Sequence, residues 1–292
     1  MRFQPRFDLQ DCEREKMSQP LLIHSLAEFA NVTLPALELC NARRVCEIGA
    51  EHGGNSEILA GWLEGNGGFL TSIDPAPSPA FHGWLASHSK HVCHVKRPSL
   101  EAIPTVQPQD AWFVDGDHNW YTVYHELAAI HEVQRMAARP LLVFLHDAGW
   151  PWARRDLYYA PDRIPGEFRQ NHSWDHGVTL DNPHAIKGGF RGCGAFAVAM
   201  REGGPRNGVL TAIEDFFGAH PDEFFWAFVP GVFGLGILFS RDHPAAQGLA
   251  NLLAPLHENA LLKRLESNRL ANYLKVIELQ DAAEEKQATA CI

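Results

Sequence analysis

The sequence predicts an α/β fold: a mostly parallel sheet with helices on both faces. Three observations predict it. Short apolar runs of strand length alternate with segments of helical periodicity along 44–147. Several of these runs stop at polar residues, giving a set made of Glu47, Asp74, Asp115, Asp117, His118, His146 and Asp147. A glycine-bearing turn follows the first run directly. In such sheets ligands bind beyond the carboxyl ends of the strands, where these polar residues gather.

The elements follow in order. Residues 1–23 read as an N-terminal arm, loose over 1–19. Residues 24–42 carry Leu26, Phe29, Leu34 and Leu37 on one helical face, with Pro35 opening a second short helix. Arg44 to Ile48 is the first strand, and Ser56 to Glu64 a helix ending at Gly65 as C-cap. Phe69 to Ile73 is the second strand, after which Pro75, Pro77 and Pro79 forbid regular structure. His82 to His88 reads as a helix, His91 to Lys96 as a strand, and Ala111 to Val114 as a fourth strand. Tyr121 to Met136 has helical spacing, and Leu141 to Leu145 is a fifth strand.

Residues 148–192 break the alternation. A loop of this length inside a domain is commonly functional, and Trp150, Trp152, Tyr158, Tyr159, Phe168 and Trp174 argue against disorder. The segment reads as an insertion covering a substrate site, with Arg154, Arg155, Tyr158 and Tyr159 as contacts for a polar or anionic acceptor, although about half of its aromatics are expected to form a small satellite core. Regular structure resumes with a strand over Gly194 to Met200, a helix over Val209 to Phe217, and strands over Phe224 to Val229 and Leu235 to Phe239. Residues 244–292 form a helical tail divided by Pro255, with apolar residues at helical spacing that can pack on the domain or on a second subunit.

Composition excludes some function classes. A formal net charge of −10 with no basic run speaks against nucleic acid. The polar first residues lack a signal peptide's apolar core, and the apolar stretch around 224–239 is broken by Pro230, Gly231, Gly234 and Gly236, so no membrane span is expected. Six scattered cysteines form no CxxC pair, a usage that suits a reducing cytoplasm.

The most informative stretch is Val45-Cys46-Glu47-Ile48-Gly49-Ala50-Glu51-His52-Gly53-Gly54-Asn55-Ser56. Gly49 permits a tight turn, Gly53 and Gly54 let backbone approach a ligand, and the next helix offers free N–H donors. The spacing Glu-x-Gly-x-x-x-Gly differs from the GxGxxG of dinucleotide sites. It resembles motif I of class I S-adenosylmethionine (SAM)-dependent methyltransferases. The resemblance covers about residues 25–240 and implies a Rossmann-like methyltransferase fold with a mostly parallel seven-stranded sheet in a domain spanning 24–243. It implies SAM contacts from Glu47, Gly49, Gly53, Asn55, Ser56 and Asp115, ribose binding by Asp74, and an adenine-side place for Ser99.

A second constellation is Asp115-Gly116-Asp117-His118, with His146-Asp147 after the fifth strand. It resembles metal-dependent O-methyltransferases acting on sugars and small natural products. That resemblance implies Asp115 and Asp147 as ligands of a divalent cation and His118 as base, with Asp117 able to replace Asp115. His146 stands where relatives often carry an acid. As a ligand it shifts the preference from magnesium towards manganese, iron or zinc, and otherwise it points into the protein and binds nothing. The chemistry coheres, because a bound cation lowers the pKa of a hydroxyl and a histidine takes its proton. The reading is therefore an O-methyltransferase for a small-molecule acceptor, with N-methylation open and a homodimer through the tail as a candidate assembly. Two competitors remain: a metal-dependent hydrolase or hydroxylase using Asp115, His118, His146 and Asp147, and a non-catalytic SAM-binding interaction protein.

Overall fold

A computed structural model describes residues 22–290, so most of the expected N-terminal arm, including Cys12, lies outside the described residues, as does Cys291. In chain order the elements are α1 (Ala30–Leu39), β1 (Arg44–Ile48), α2 (Gly54–Gly65), β2 (Phe69–Ile73), α3 (Pro79–His88), β3 (Val92–Val95), α4 (Ser99–Ala102), β4 (Ala111–Val114), α5 (Trp120–Met136) and β5 (Leu142–Leu145). There follow β6 (Leu157–Tyr158), β7 (His172–Ser173), β8 (Ala197–Ala199), α6 (Val209–Ala219), β9 (Phe224–Val229), β10 (Leu235–Ser240), α7 (Ala246–Leu253) and α8 (Ala260–Ala290).

Seven strands form one sheet in the order β3-β2-β1-β4-β5-β10-β9. The first five are parallel, and β10 runs antiparallel between β5 and β9. The pleat sends alternate residues to opposite faces. Val45, Phe113, Phe144 and Ile237 pack with Leu37, Leu59, Leu63, Leu249 and Leu253 of α1, α2 and α7. Cys46, Trp112, Val114, Val143 and Leu238 pack with Val123, Leu127, Ile130, Ile213 and Phe216 of α5 and α6. Both faces are thus covered, and the strand order reverses at β1/β4, the place where open sheets of this kind bind ligands.

The structure departs from the sequence expectations at some boundaries. Pro35 does not split the first helix; a 3₁₀ turn over Leu26–Phe29 leads into α1, which runs through Pro35. There the missing N–H forfeits the bond to the Asn31 carbonyl, while Ala36 and Leu37 beside it are fully buried. Pro79 opens α3 at its first position under an N-cap from the Ser78 hydroxyl, since a first-turn N–H has no helical partner anyway. The helix α2 reaches Gly65 and is capped by Asn66, with the left-handed residue at Gly67.

The insertion builds its own three-stranded sheet, β6-β8-β7. The strand expected over Gly194 to Met200 belongs to it, as β8 pairs with Leu157–Tyr158 and His172–Ser173. Asp156 ties this small sheet to the main domain. Its buried carboxylate accepts from the Trp120 and Gly208 amides and the Tyr158 hydroxyl, and burial pushes it up to about 6. The tail divides around Pro255 as expected, into α7 and α8. The helix α8 packs on its own chain through Leu270 and Tyr273 against Phe233 and Leu22. Among the described residues no helix is long and apolar enough to cross a membrane.

Candidate functional site

The cofactor loop is shaped by two close approaches. Gly49 follows β1 at φ +90°, and a Cβ there would lie 2.2 Å from the Asp115 carbonyl oxygen. Only glycine lets β1 and β4 release their chains side by side at this point. Gly53 takes the left-handed conformation as N-cap of α2, and a Cβ would meet the Phe81 ring at 3.2 Å. The loop is also anchored from the second strand. Asp74 accepts from the Ala50 and Glu51 amides at 2.9 and 3.0 Å through Oδ2, and from the Ala76 amide at 2.7 Å through Oδ1.

Glu47 is buried, and its two oxygens accept from Asn55 Nδ2 at 2.8 Å and from the Ser56 hydroxyl. These three residues therefore hold β1 to the first turn of α2. Burial pushes the Glu47 carboxyl up to about 7, more than the Ser56 and Asn55 hydrogen bonds lower it. Ser99 opens α4 beyond β3, close to the buried Glu126 of α5.

Beyond β4 and β5 four side chains meet. Asp115 Oδ1 lies 3.0 Å from His146 Nδ1, and His146 Nε2 lies 2.8 Å from the Val232 carbonyl oxygen. His118 Nδ1 is 3.3 Å from Asp147 Oδ2. Asp147 sits at φ +58°, a left-handed conformation that aspartate tolerates better than most residues, and this turns its carboxyl back towards His118 and His146. Burial raises the Asp147 pKa, while His146 and His118 pull it down.

Asp115, His118 and Asp147 each offer a ligand atom within 4.8 Å of the others. Asp147 Oδ1 is buried and has no hydrogen-bond partner among the described residues. Such an orphaned oxygen is costly unless a cation or water completes it. Two carboxylates, one of them with an unpartnered oxygen, and an imidazole fit a divalent cation, and a nitrogen donor suits manganese, iron or zinc.

The arrangement differs from the sequence expectation at His146. Both of its ring nitrogens face oxygen acceptors, so neither lone pair is directed at an ion. The imidazole in the cluster is that of His118 instead. Two acceptors require two N–H donors, and the Asp115 and Asp147 charges push His146 up to about 9 against the opposing effect of burial. His146 is therefore an imidazolium fixed beside the carboxylates. Asp117 does not substitute for Asp115. It accepts from the His118 amide and from the Thr122 hydroxyl at the start of α5. Helix capping there falls to Asn119, whose side chain accepts from the Thr122 amide at 2.9 Å, which leaves His118 free of that task.

Of the four acceptor contacts expected in the insertion, the structure brings Tyr159 to the site, its ring 6.0 Å from that of His118 and its side chain exposed. Arg154 pairs with Glu214, and Arg155 is buried against the Ala199 and Pro183 carbonyls. Tyr158 is buried on Asp156. The satellite core is present: Trp150, Trp152, Phe190 and Phe196 pack on one another. Sequence reasoning missed the Val232 carbonyl and His24, whose charge acts on Asp147. Neither carries a local signal, because both come from remote segments. A separate cavity of about 970 Å³, lined in part by Gln170, His184, Arg201 and Arg206, lies away from these residues.

No protein-family profile and no curated protein matches the chain. Solved structures do. A methyltransferase of Podospora anserina with SAH bound is 13% identical, with 74% of this chain and 78% of that one covered at a TM-score of 0.45. The O-methyltransferase of tomaymycin synthesis from Streptomyces achromogenes, in complex with SAM, is 17% identical over 79% and 85% at 0.44. A methyltransferase from Geobacter sulfurreducens is 11% identical over 75% and 81% at 0.42. The chain has a Rossmann-like α/β fold. Its own sheet places it there, with five parallel strands, an antiparallel final pair and a glycine turn after the central strand.

Proposed function

We propose that the protein is a SAM-dependent methyltransferase that methylates a hydroxyl of a small molecule, with His118 as base. The observation that carries this reading is a convergence. The Gly49–Gly53 turn, its anchor Asp74 and the Asp115–His118–Asp147 cluster lie at neighbouring strand ends of one sheet.

In this reading SAM supplies an activated methyl group on a sulfonium. The Gly49 loop and the first turn of α2 hold its amino-acid part, and Glu47 acts through Asn55 and Ser56 by fixing that turn. Asp74 keeps about one of its four lone pairs for a ribose hydroxyl beyond the three amides it already binds. Ser99 stands on the adenine side. Asp147 orients His118 through Nδ1, and Nε2 receives the proton of the acceptor hydroxyl. Asp115 and Asp147 would hold a divalent cation beside His118, and the cation would lower the pKa of a bound hydroxyl while Nε2 stays free for the proton. The His146 imidazolium lies 3.0 Å from Asp115 and 3.5 Å from Asp147 and offsets carboxylate charge there. Tyr159 borders the acceptor's approach.

A second reading has a specific observation behind it. Because His146 already supplies a fixed positive charge, methyl transfer can proceed on the His118–Asp147 pair without a metal. Transfer of labelled methyl from SAM to a panel of hydroxylated small molecules, with and without EDTA, separates the two. Loss with EDTA and recovery with manganese or zinc supports the metal; full activity in EDTA supports the histidine pair. No transfer to any hydroxyl, with transfer to amines instead, would move the reading to N-methylation. Cytoplasmic location and a tail-mediated homodimer belong to the same proposal. Leu261, Leu265 and Leu279 on α8 are exposed and offer a contact face.

A further inference from the structure

On the edge of the molecule away from the strand ends, His131 of α5 faces the turn between α6 and β9. His131 Nε2 lies 3.3 Å from Glu223 Oε2, and His220 Nδ1 lies 4.0 Å from Glu223 Oε1. Each of the three residues offers one ligand atom within 4.8 Å of the other two. A tetrahedral zinc with bonds of about 2.0–2.1 Å to nitrogen separates its ligand atoms by about 3.3 Å. The His131–Glu223 pair already has that separation, and the other ligand atoms lie within 4.8 Å.

The surroundings suit an ion. The two imidazoles lie at 4.6 Å between ring centroids, and Phe216 and Phe224 pack against both. Apolar walls exclude competing water and limit the directions open to the rings. Burial and the neighbouring His220 lower the His131 pKa, so its lone pair is available near neutral pH. The other charged groups nearby are Glu132 and Arg135, which pair with each other at 2.7 Å. Arg241 turns to the Phe224 carbonyl oxygen and the Phe225 ring. The cluster thus brings together two imidazoles and one carboxylate.

We propose that His131, His220 and Glu223 form a structural transition-metal site, with zinc as its natural occupant. The ion ties α5 to the α6–β9 turn. This inference is independent of the methyltransferase reading, because no residue of the Asp115–His118–Asp147 cluster takes part.

The test is equilibrium dialysis of the full chain against zinc, in a background of Asp115→Asn with Asp147→Asn that removes the strand-end donors. That background is expected to retain one zinc. Adding His220→Ala or Glu223→Gln, both at accessible side chains, is expected to weaken zinc by on the order of a hundredfold, at least what loss of an outer partner costs a zinc site. Zinc should also raise the melting temperature of the unaltered chain, and the rise should shrink in His220→Ala. Should the doubly substituted background fail to fold, diffraction at the zinc absorption edge on the unaltered chain decides instead. Anomalous density between His131 Nε2 and Glu223 supports the site. Zinc found only at Asp115 and Asp147, or binding indifferent to His220→Ala, would overturn it.

Discussion

At the residue scale, the chemistry depends on which proton each side chain holds. His118 is paired with Asp147 at 3.3 Å, so Asp147→Asn leaves the imidazole unoriented. Methyl transfer should fall by on the order of a hundredfold or more, with SAM affinity retained; an equal loss in SAM affinity would place Asp147 in cofactor binding. His146 gives a pH dependence with a definite sign. Its folded-state value of about 9 lies above the ordinary 6.5, so the folded chain binds that proton more tightly than the unfolded one. This contribution to stability is complete below about 6.5 and is lost as pH rises through about 9. Denaturant midpoints measured across that range should decline, and His146→Gln should flatten the decline. Tyr159→Phe should raise the KM for the acceptor and leave SAM binding unchanged, since the ring borders His118 and lies outside the Gly49 loop.

The residue scale was also where the sequence was least informative. Asp74 and Asp115 were legible because each closes a run of apolar residues, Asp147 because it follows the fifth run by one residue, and Glu47 by its spacing to Gly49 and Gly53. Their partners were not. His146 and Asp147 are adjacent, yet the left-handed backbone at Asp147 and the remote Val232 carbonyl decide which of the neighbouring groups faces an ion. Residue type alone left His146 open between a ligand and an inward-facing residue, and its two oxygen partners favour the second.

At the element scale, backbone proximity governs the cofactor turn. Gly49→Ala would need both a left-handed alanine and a Cβ 2.2 Å from the Asp115 carbonyl, so β1 and β4 must part. A loss of more than about 2 kcal/mol is expected, from strain and clash together. Retained melting behaviour with intact SAM binding would contradict the role given to that turn. Strands were readable here because parallel strands buried on both faces appear as continuous apolar runs. Of the small β6-β8-β7 sheet only β8 was, within the strand expected over Gly194 to Met200; β6 and β7 are two residues each, carry no period, and pair with β8 as much as 41 positions away.

At the scale of the whole molecule, the tail matters to the domain that carries the site. Leu270 is buried against Phe233, and Glu266 accepts from the Phe233 amide at 3.0 Å. Phe233 neighbours Val232, whose carbonyl oxygen faces His146. Leu270→Ala should cost about 2–4 kcal/mol in denaturant unfolding. A change near zero would mean that α8 is held by something other than this cluster.

The central claim is that the glycine turn, Asp74 and the strand-end cluster form one SAM site, and calorimetric titration of SAM into the purified chain, with and without EDTA, tests it most directly. Saturable binding of one SAM per chain is expected in both conditions, abolished by closing the turn with Gly49→Ala. No binding in either condition would contradict it and bring forward the hydrolase reading of the same four side chains.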